Sequence, residues 1–526
     1  MGRVIARAAP AVVGLLVAAW LSPRAIPFNM DEFVHYHALG CATAPEQRGL
    51  PVFRDGCGLY DLRLPFTTTP LPLRSYLYIG SVPAVPFYPF LRLFDDPVAA
   101  RVQGAVFALV CGVLAARLLR VRASSVVAAG VLLPVLLVTF LVDEGPVGLS
   151  AVLLLAALCA LRPALGGGGT RTSLAGATAA GLLLFLGTWT KLVFAWWLPA
   201  VAYLAWVEMR TDPEGGRAWW RRRLPAIVAL LASFALPTAV LLASVDRDGR
   251  PYLETALHRG RIQVDAEDVG ENAGRLWSYA ARASRVAPRN VELPGWPVDV
   301  VPGLLALAVV GAGLRGPRCG EVLGWTTLAV ATLAVVSSSR FSQWPHHFFF
   351  PLLPLVLALA VALDGRGPRA RAALVVAAAL FWVTLAVRWP DSRVPTSSSF
   401  AKDEMLRTLR ERGRTRETFQ VHASWGTYYL AQLFGDRERI VVYMKGISDD
   451  RDLLARVRRL AAERGRPILL LSSRRWERLQ TAAVAETLGS PGRTWRFGDW
   501  WAVEYQTTAP EEAPVSTDGS PASPPP

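Results

Sequence analysis

Long apolar stretches separated by short polar connections occupy residues 1–390. The stretches 8–21, 126–142, 301–314 and 351–363 contain no charged residue. Because a helix crosses a bilayer core with roughly 17–25 mostly apolar residues, the pattern predicts about eleven spans. They lie near residues 4–22, 98–119, 124–142, 146–161, 173–190, 192–207, 224–244, 299–314, 321–337, 347–363 and 371–388.

Segment 74–94 is also apolar, but prolines at 83, 86 and 89 interrupt it and it is rich in Tyr and Phe. We therefore predict that it lies along the membrane interface and does not span. The connections with several arginines then alternate with outer connections, and the short outer connections hold only Lys191 and Arg340. Since basic residues stay in the cytoplasm, the N-terminus is predicted to be cytoplasmic in a multi-pass protein of the inner or plasma membrane.

The resulting domain organisation places every large polar region outside the cytoplasm. We predict a transmembrane domain over 1–390, with a first extracytoplasmic loop at 23–97 that carries interfacial helices and a long one at 245–298. An extracytoplasmic domain follows over 391–506, and residues 507–526, rich in Pro and Ser, are predicted to be disordered.

Within 391–506, helical and strand patterns alternate. Strands are expected near 418–423, 439–444, 467–472 and 500–506, with a basic helix at 451–464. Such alternation favours a small α/β domain with a mostly parallel sheet. The predicted fold class is therefore a polytopic α-helical membrane protein with a C-terminal soluble α/β domain.

Composition supports the membrane assignment. Of 526 residues, 52% are hydrophobic and 18% charged, with a mean hydropathy of +0.31. So small a charged fraction excludes a soluble globular enzyme. The net charge of +15 reflects basic residues that punctuate apolar segments, so we expect no nucleic-acid partner. Lysine occurs only at 191, 402 and 445. Cys41 and Cys57 share the first outer loop, either as a disulfide or as two free thiols.

Two acidic pairs are candidates for catalysis. Asp31 and Glu32 follow the first span and precede His35 and His37, and a second pair, Asp143-Glu144, occupies a short outer turn. Carboxylates are costly to desolvate at a membrane surface, which favours a functional role. The alternatives are a helix N-terminus for the first pair and a solvated turn for the second.

Cations gather on the same side of the predicted membrane. Lys191 lies between two spans with almost no loop, so it either snorkels to the surface or meets an anion. The remaining candidates for a phosphate site are Arg340, His346, His347, His258 and Arg261. Zinc binding by His35 and His37, or by His346 and His347, has only a weak spacing signal.

Acids and cations together suit transfer of a group from a lipid phosphate. An acid would deprotonate an acceptor hydroxyl, and the cations would stabilise the departing phosphate. The largest cytoplasmic connection, residues 208–223, is too short to form a domain that binds a soluble nucleotide donor. A lipid-linked donor is therefore the simplest hypothesis.

In this order the motifs resemble those of GT-C fold glycosyltransferases, in the branch that holds protein O-mannosyltransferases and the aminoarabinose transferase of lipid A. Asp31-Glu32 resembles the early acidic pair of that family, and residues 70–94 resemble its Pro-rich interfacial helix. Further matches are Ala99-Ala100-Arg101 at the start of a span, Asp143 in a tight outer loop, Thr190-Lys191, and Arg340 before the aromatic, Leu-Pro-rich segment 347–354.

The resemblance implies a sugar transferase that uses a polyprenyl-phosphate-linked donor and a glycan, lipid or protein acceptor, with no cofactor and no catalytic metal. Asp31 would be the base, with Glu32 beside it, and Asp143 would support the acceptor or the sugar. The phosphate would be bound among the cations Lys191, His258, Arg261, Arg340, His346 and His347. Glu144 and the double histidine depart from the family pattern.

Two other functions compete with this hypothesis. A flippase or transporter of lipid-linked sugars would need charged groups along a path at the membrane midplane, whereas here the polar clusters collect at outer span ends. A non-enzymatic envelope-assembly protein would leave the acidic turns unexplained. The transferase hypothesis predicts that Asp31, Asp143, Lys191 and Arg340 line one outward-facing cavity.

Overall fold

The computed structural model of the chain describes parts of the membrane domain and of the C-terminal domain. The described residues are 13–24, 28, 32–39, 61–62, 71–72, 74–76, 79–94, 96–133, 139–143, 145–167, 169–243, 270, 296–338, 347, 349–374, 376, 397–431, 441–443, 451–473 and 482–507.

Apolar helices build the membrane domain, as the hydrophobic pattern predicts. Residues 13–21 are helical. The following helices are α1 (Ala84–Phe94), α2 (Val98–Leu119), α3 (Ala123–Leu132), α4 (Val147–Leu165), α5 (Thr170–Thr190), α6 (Pro199–Arg210), α7 (Gly216–Ala243), α8 (Trp296–Gly313), α9 (Cys319–Ser337) and α10 (Phe349–Asp364).

Six apolar segments in the described part of the chain are long enough to cross a membrane. They are Val98–Leu119, Val147–Leu165, Thr170–Thr190, Leu192–Arg210, Gly216–Leu241 and Cys319–Ser337. Three shorter apolar helices, Ala123–Leu132, Leu304–Gly313 and Phe349–Asp364, coincide with further predicted spans. The polytopic helical fold is thus confirmed. The predicted spans 4–22 and 371–388 lie only partly within the described residues, so the total of about eleven stays a prediction.

Two predicted spans differ locally from straight α-helices. The span predicted at 124–142 is interrupted, because α3 ends at Leu132 and Leu133 adopts a non-helical conformation just before Pro134. A proline disfavours the α conformation in the residue that precedes it. The span predicted at 192–207 begins as a 3₁₀ helix over Leu192–Trp197 and continues as α6.

Close helix contacts depend on small residues. Helix α4 packs against α5, and α5 against α7. At Gly181 of α5, an added Cβ would meet Ser233 and the backbone of Leu230 in α7. At Gly104 of α2, an added Cβ would meet the carbonyl oxygen of Phe140. These glycines let backbones approach closely, as is common between membrane helices.

The loop that follows the first predicted span contains short strands and α1. Strands β1 (Asp61–Leu62) and β2 (Leu71–Pro72) pair antiparallel, as do β3 (Arg74–Tyr76) and β4 (Ile79–Gly80). Helix α1 has 11 residues, too few to span a bilayer. It buries Phe87 and Leu91 and exposes Leu93. The segment 74–94 is therefore not a transmembrane helix, and its placement along the interface stays a prediction.

The C-terminal domain is an α/β fold with one five-stranded sheet. Its helices are α11 (Ser397–Glu411), α12 (Arg414–Glu417), α13 (Trp425–Ala431), α14 (Arg451–Glu463) and α15 (Ala482–Leu488). Its strands are β5 (Phe419–His422), β6 (Val441–Tyr443), β7 (Ile468–Ser472), β8 (Pro491–Phe497) and β9 (Trp500–Tyr505), in the order β6-β5-β7-β9-β8.

The sheet is mixed. Strand β5 pairs in parallel with β6 and with β7, but β9 is antiparallel to both β7 and β8. The expectation of a mostly parallel sheet is therefore wrong for its β9-β8 edge, which a hairpin closes at Gly498, where φ is +57°. The predicted disorder of 507–526 concerns residues that, apart from Thr507, lie outside the described part of the chain, as do Cys41 and Cys57.

Candidate functional site

Glu32 forms a buried ion pair with Arg101 of α2. The Nε and Nη2 atoms of Arg101 each donate to a different carboxylate oxygen of Glu32 at 3.0 Å. Both side chains are at most 1% exposed. The Nη1 atom of Arg101 also donates to Ser22 Oγ at 3.2 Å, and the Phe28 ring lies 4.6 Å from its guanidinium carbon. The bidentate geometry and the additional contacts of Arg101 offset the free-energy cost of desolvating the two charges. The ion pair therefore holds the Glu32 carboxylate in one orientation.

Tyr36 links the same loop to two helices. Its hydroxyl donates to Gln103 Oε1 on α2 at 2.7 Å, and its ring stacks on Phe87 of α1 at 3.8 Å. Burial, with smaller contributions from the carboxylates of Asp143 and Glu32, raises the pKa of Tyr36 well above its ordinary value. The phenol therefore stays neutral and acts as a hydrogen-bond donor here.

Asp143 lies just before the N-terminus of α4. Its Oδ1 accepts the backbone N–H of Gly148 at 2.8 Å. Burial raises the pKa of Asp143 to about 7, although the N–H groups of Gly148 and Val147 and the charge of Lys191 act in the opposite direction. At neutral pH this carboxyl therefore exists in both protonation states, so it is able to accept or release a proton.

His35 joins the loop after the first predicted span to Asp143. Its Nε2 lies 3.9 Å from Asp143 Oδ2, and both side chains are almost completely buried. His35 belongs to the 3₁₀ turn Val34–Tyr36, which lies just after Glu32. His35 thus brings the segment that follows Glu32 to the turn that carries Asp143. The predicted proximity of Asp31 to Asp143 stays a prediction, because Asp31 lies outside the described residues.

Lys191 lies at the end of α5 and is fully buried. Its Nζ donates to the carbonyl oxygen of Gly145 at 2.8 Å, in the turn that carries Asp143. Its backbone bridges antiparallel to Ile79 of β4. That approach requires Gly80, because a Cβ there would meet the carbonyl oxygen of Trp189. Lys191 therefore does not snorkel to the surface but faces the second acidic turn.

His347 lies near the same segment. Its ring is fully buried and makes an edge contact with Trp196 at 5.7 Å, in the 3₁₀ helix that follows Lys191. The Lys191 Nζ is 5.8 Å from the Phe350 ring, and Trp197 Nε1 donates to the Phe350 carbonyl oxygen at 2.8 Å. The start of α10 and the end of α5 thus meet beside the turn that carries Asp143.

Six of the predicted positions lie outside the described residues. These are Asp31, Glu144, His258, Arg261, Arg340 and His346. The described members of the predicted set, Glu32, Asp143, Lys191 and His347, connect through the contacts above. Two buried polar atoms beside them, Gln103 Nε2 and Thr190 Oγ1, have no hydrogen-bond partner in the described part of the chain.

Several residues of the site were not among those predicted to act. Arg101 entered only through a family motif, Tyr36 and Gln103 were not singled out, and His35 was considered only as a weak candidate for zinc binding. A charged residue one turn into an apolar span was the available signal for Arg101. Among the described residues, no group of three or more His, Cys, Asp or Glu side chains is arranged to hold a metal ion.

Two solved structures of ArnT from Cupriavidus metallidurans are similar to this chain. The apo structure has a TM-score of 0.56 at 14% identity, covering 94% of this chain and 97% of that chain. The structure bound to undecaprenyl phosphate has a TM-score of 0.55 with the same identity and coverage. No protein-family model matches the chain, and a search of curated proteins finds no significant match. ArnT is the aminoarabinose transferase of lipid A and has the GT-C fold, so the predicted GT-C fold is confirmed.

Proposed function

We propose that the protein transfers a sugar from a polyprenyl-phosphate-linked donor to an acceptor hydroxyl at the extracytoplasmic face of the membrane. The observation that carries this proposal is the meeting of Glu32, His35, Asp143 and Lys191 at helix ends in a chain with the GT-C fold. A likeness to an ArnT structure bound to undecaprenyl phosphate supports a polyprenyl phosphate as the leaving group.

In the proposed reaction, Asp31 acts as the base. It takes the proton of the acceptor hydroxyl, the acceptor oxygen attacks the anomeric carbon, and the bond from that carbon to the phosphate oxygen breaks. A single displacement inverts the anomeric configuration. The phosphate leaves with the bonding electron pair as polyprenyl phosphate, so the products are a glycosylated acceptor and a lipid phosphate.

The described residues have distinct parts in this proposal. Glu32 orients the loop, because both of its oxygens accept hydrogen bonds from Arg101. Asp143 binds the sugar or the acceptor and, with a pKa of about 7, exchanges protons with its surroundings. Lys191 supplies positive charge beside this turn. Such preorganised charge stabilises the departing phosphate more strongly in a site that excludes water. We assign the rest of the phosphate site to His258, Arg261, Arg340, His346 and His347.

The decisive experiment is transfer by the purified protein in liposomes, with a panel of polyprenyl-phosphate sugars and candidate acceptors. Wild type is expected to release polyprenyl phosphate, and Asp31→Asn to lower the rate by about 10²-fold or more while donor binding is retained. Glu486→Gln, at an exposed position of the C-terminal domain, is the control.

Two results would contradict the proposal in different ways. An undiminished rate for Asp31→Asn would remove this residue from the chemistry and leave Asp143 as the candidate base. Movement of intact lipid-linked sugar across the bilayer without cleavage would identify a transporter instead.

A further inference from the structure

The C-terminal domain holds one residue of the first outer loop by both of its backbone polar groups. On α11, Asp403 Oδ2 accepts the N–H of Phe28 at 2.9 Å, and Lys402 Nζ donates to the Phe28 carbonyl oxygen at 2.6 Å. We call these two side chains the Phe28 clamp. Lys402 and Asp403 are 5% and 7% exposed, and Nζ and Oδ1 of the pair are 3.4 Å apart.

Phe28 connects the clamp directly to the ion pair of the candidate site. Its ring lies 4.6 Å from the guanidinium carbon of Arg101 and 5.5 Å from the ring of Phe33. Arg101 in turn binds both carboxylate oxygens of Glu32. A displacement of Phe28 would therefore change the surroundings of Arg101 and of the residue next to Glu32.

The same helix also contacts the start of α2, which carries Arg101 and Gln103. Arg407, one turn after Asp403, donates to Asp96 Oδ2 at 3.0 Å. Asp96 Oδ1 accepts the N–H of Val98, the first residue of α2, at 2.9 Å. Helix α11 thus contacts the segments that carry both partners of the Glu32–Arg101 pair.

A third contact extends this interface to α13. The rings of Tyr428 and Tyr429 each lie 5.6 Å from the ring of His37, two residues after His35. Described residues between Phe28 and Leu39 share one apolar cluster with the C-terminal domain. Both ends of the loop segment around Glu32 and His35 are therefore packed against the same domain.

We infer that Lys402 and Asp403 are positioning residues for the proposed transfer, because they hold the Glu32–His35 segment in register with α2. This inference rests on the proposed function. Reactions that depend on oriented groups lose about 10²-fold in rate when a reacting group is misplaced by about 1 Å. A domain attached after the membrane helices would in this way complete the geometry of the site.

The test compares two double variants of the full chain. Lys402→Met with Asp403→Leu removes both hydrogen bonds to Phe28. Lys402→Gln with Asp403→Asn removes both charges but keeps a donor for the carbonyl and an acceptor for the N–H. We expect Lys402→Met with Asp403→Leu to lower kcat at least about tenfold, with the donor KM changed less than about threefold. Lys402→Gln with Asp403→Asn is expected to keep kcat within about threefold.

A second measurement does not depend on activity. Amide hydrogen exchange over residues 32–39 is expected to be at least about tenfold faster in Lys402→Met with Asp403→Leu than in wild type or in Lys402→Gln with Asp403→Asn. Glu486→Gln, which removes an exposed ion pair with Arg451 at 2.9 Å, is expected to change neither readout. If Lys402→Met with Asp403→Leu fails to fold, the single variant Lys402→Met, which removes the donor to the Phe28 carbonyl, is measured in its place.

The possible outcomes separate this inference from the proposed function. Equal kcat in both double variants, or unchanged exchange over 32–39, would overturn the positioning role even though wild type transfers sugar. If wild type releases no polyprenyl phosphate from any donor, the proposed function fails, and the exchange measurement then decides whether the clamp still orders the loop.

Discussion

Asp143 has a different neighbour on each carboxylate oxygen. Oδ1 accepts a helix N-terminal amide, while Oδ2 faces His35 in a buried setting. The amide stabilises the anion, whereas burial disfavours charge. Burial is the largest effect and raises the pKa to about 7. This residue is therefore expected to make the protein sensitive to pH in the neutral range.

The sign of that dependence follows from proton binding. Between about pH 4 and 7 the folded protein keeps a proton on Asp143 that the unfolded chain, with the ordinary pKa of 3.8, has released. The free energy of unfolding therefore falls as pH rises through this range. We expect the Tm of wild type in detergent to decline relative to that of Asp143→Asn up to about pH 7 and to run parallel to it above about pH 8. A difference in Tm that does not vary with pH would contradict this assignment.

Two of the three lysines each donate a hydrogen bond to a backbone carbonyl oxygen in another segment of the chain. Lys191 donates to the carbonyl oxygen of Gly145, and Lys402 donates to that of Phe28, and both are buried. An ammonium on a flexible stem reaches a single carbonyl oxygen in a narrow space, whereas the guanidinium is a wide planar fork. The sequence identified Lys191 from its depth in the membrane pattern. The sequence gives no reason to single out Lys402, because the partner of Lys402 is the backbone carbonyl of Phe28, 374 positions away.

At the scale of elements, α2 is the frame of the candidate site. It carries Arg101 and Gln103 on its first turns and approaches the segment of Phe140 through Gly104. That approach sets the distance between α2 and the turn that holds Asp143.

Gly104→Ala tests this packing. The added Cβ would meet the carbonyl oxygen of Phe140, a backbone atom that moves only with its segment. We expect a loss of about 1–3 kcal/mol in unfolding free energy, as in overpacked cores, together with a lower rate of the proposed transfer reaction. Gly112→Ala is the matched control in the same helix, because nothing lies within 4 Å of the added Cβ. It is expected to be neutral or to stabilise by up to about 1 kcal/mol. An equal loss in both variants would contradict a specific contact at Gly104.

The elements that the sequence predicted well are those with a strong periodic or apolar signal. Helix α2 matches the span predicted at 98–119, and β7 and β9 match their predicted positions closely. Strand β8 was missed because its sequence, Pro491 to Phe497, is mostly exposed and carries two arginines, as suits an edge strand. Without β8 the antiparallel half of the sheet could not be anticipated.

At the scale of the whole molecule, the arginine-rich connections and the acidic turns are predicted to lie on opposite sides of the membrane. The predicted orientation places the acidic turns outside the cytoplasm. Cys319 provides a test, since it is exposed at the start of α9 in a connection that we place in the cytoplasm. In a variant that keeps Cys319 alone, a membrane-impermeant maleimide is expected to react only after right-side-out vesicles are permeabilised.

The matched control introduces Ser490→Cys into the background without cysteines. Ser490 is exposed in the C-terminal domain, so it should react without permeabilisation. The reverse pattern for the two cysteines would invert the topology and place the acidic turns in the cytoplasm.

The distance in sequence between Phe28 and Asp403 has a consequence for biosynthesis. The two residues are 375 positions apart. Because a ribosome adds on the order of ten residues each second, Phe28 emerges well before its partner is made, by roughly half a minute. During that interval the membrane helices are inserted in order, and Phe28 has no contact with Lys402 and Asp403, which are not yet synthesised. On the proposed function, full transfer activity would therefore be reached only when translation has passed the last membrane helix, and incomplete chains left in the membrane would consume donor lipid at least about tenfold more slowly.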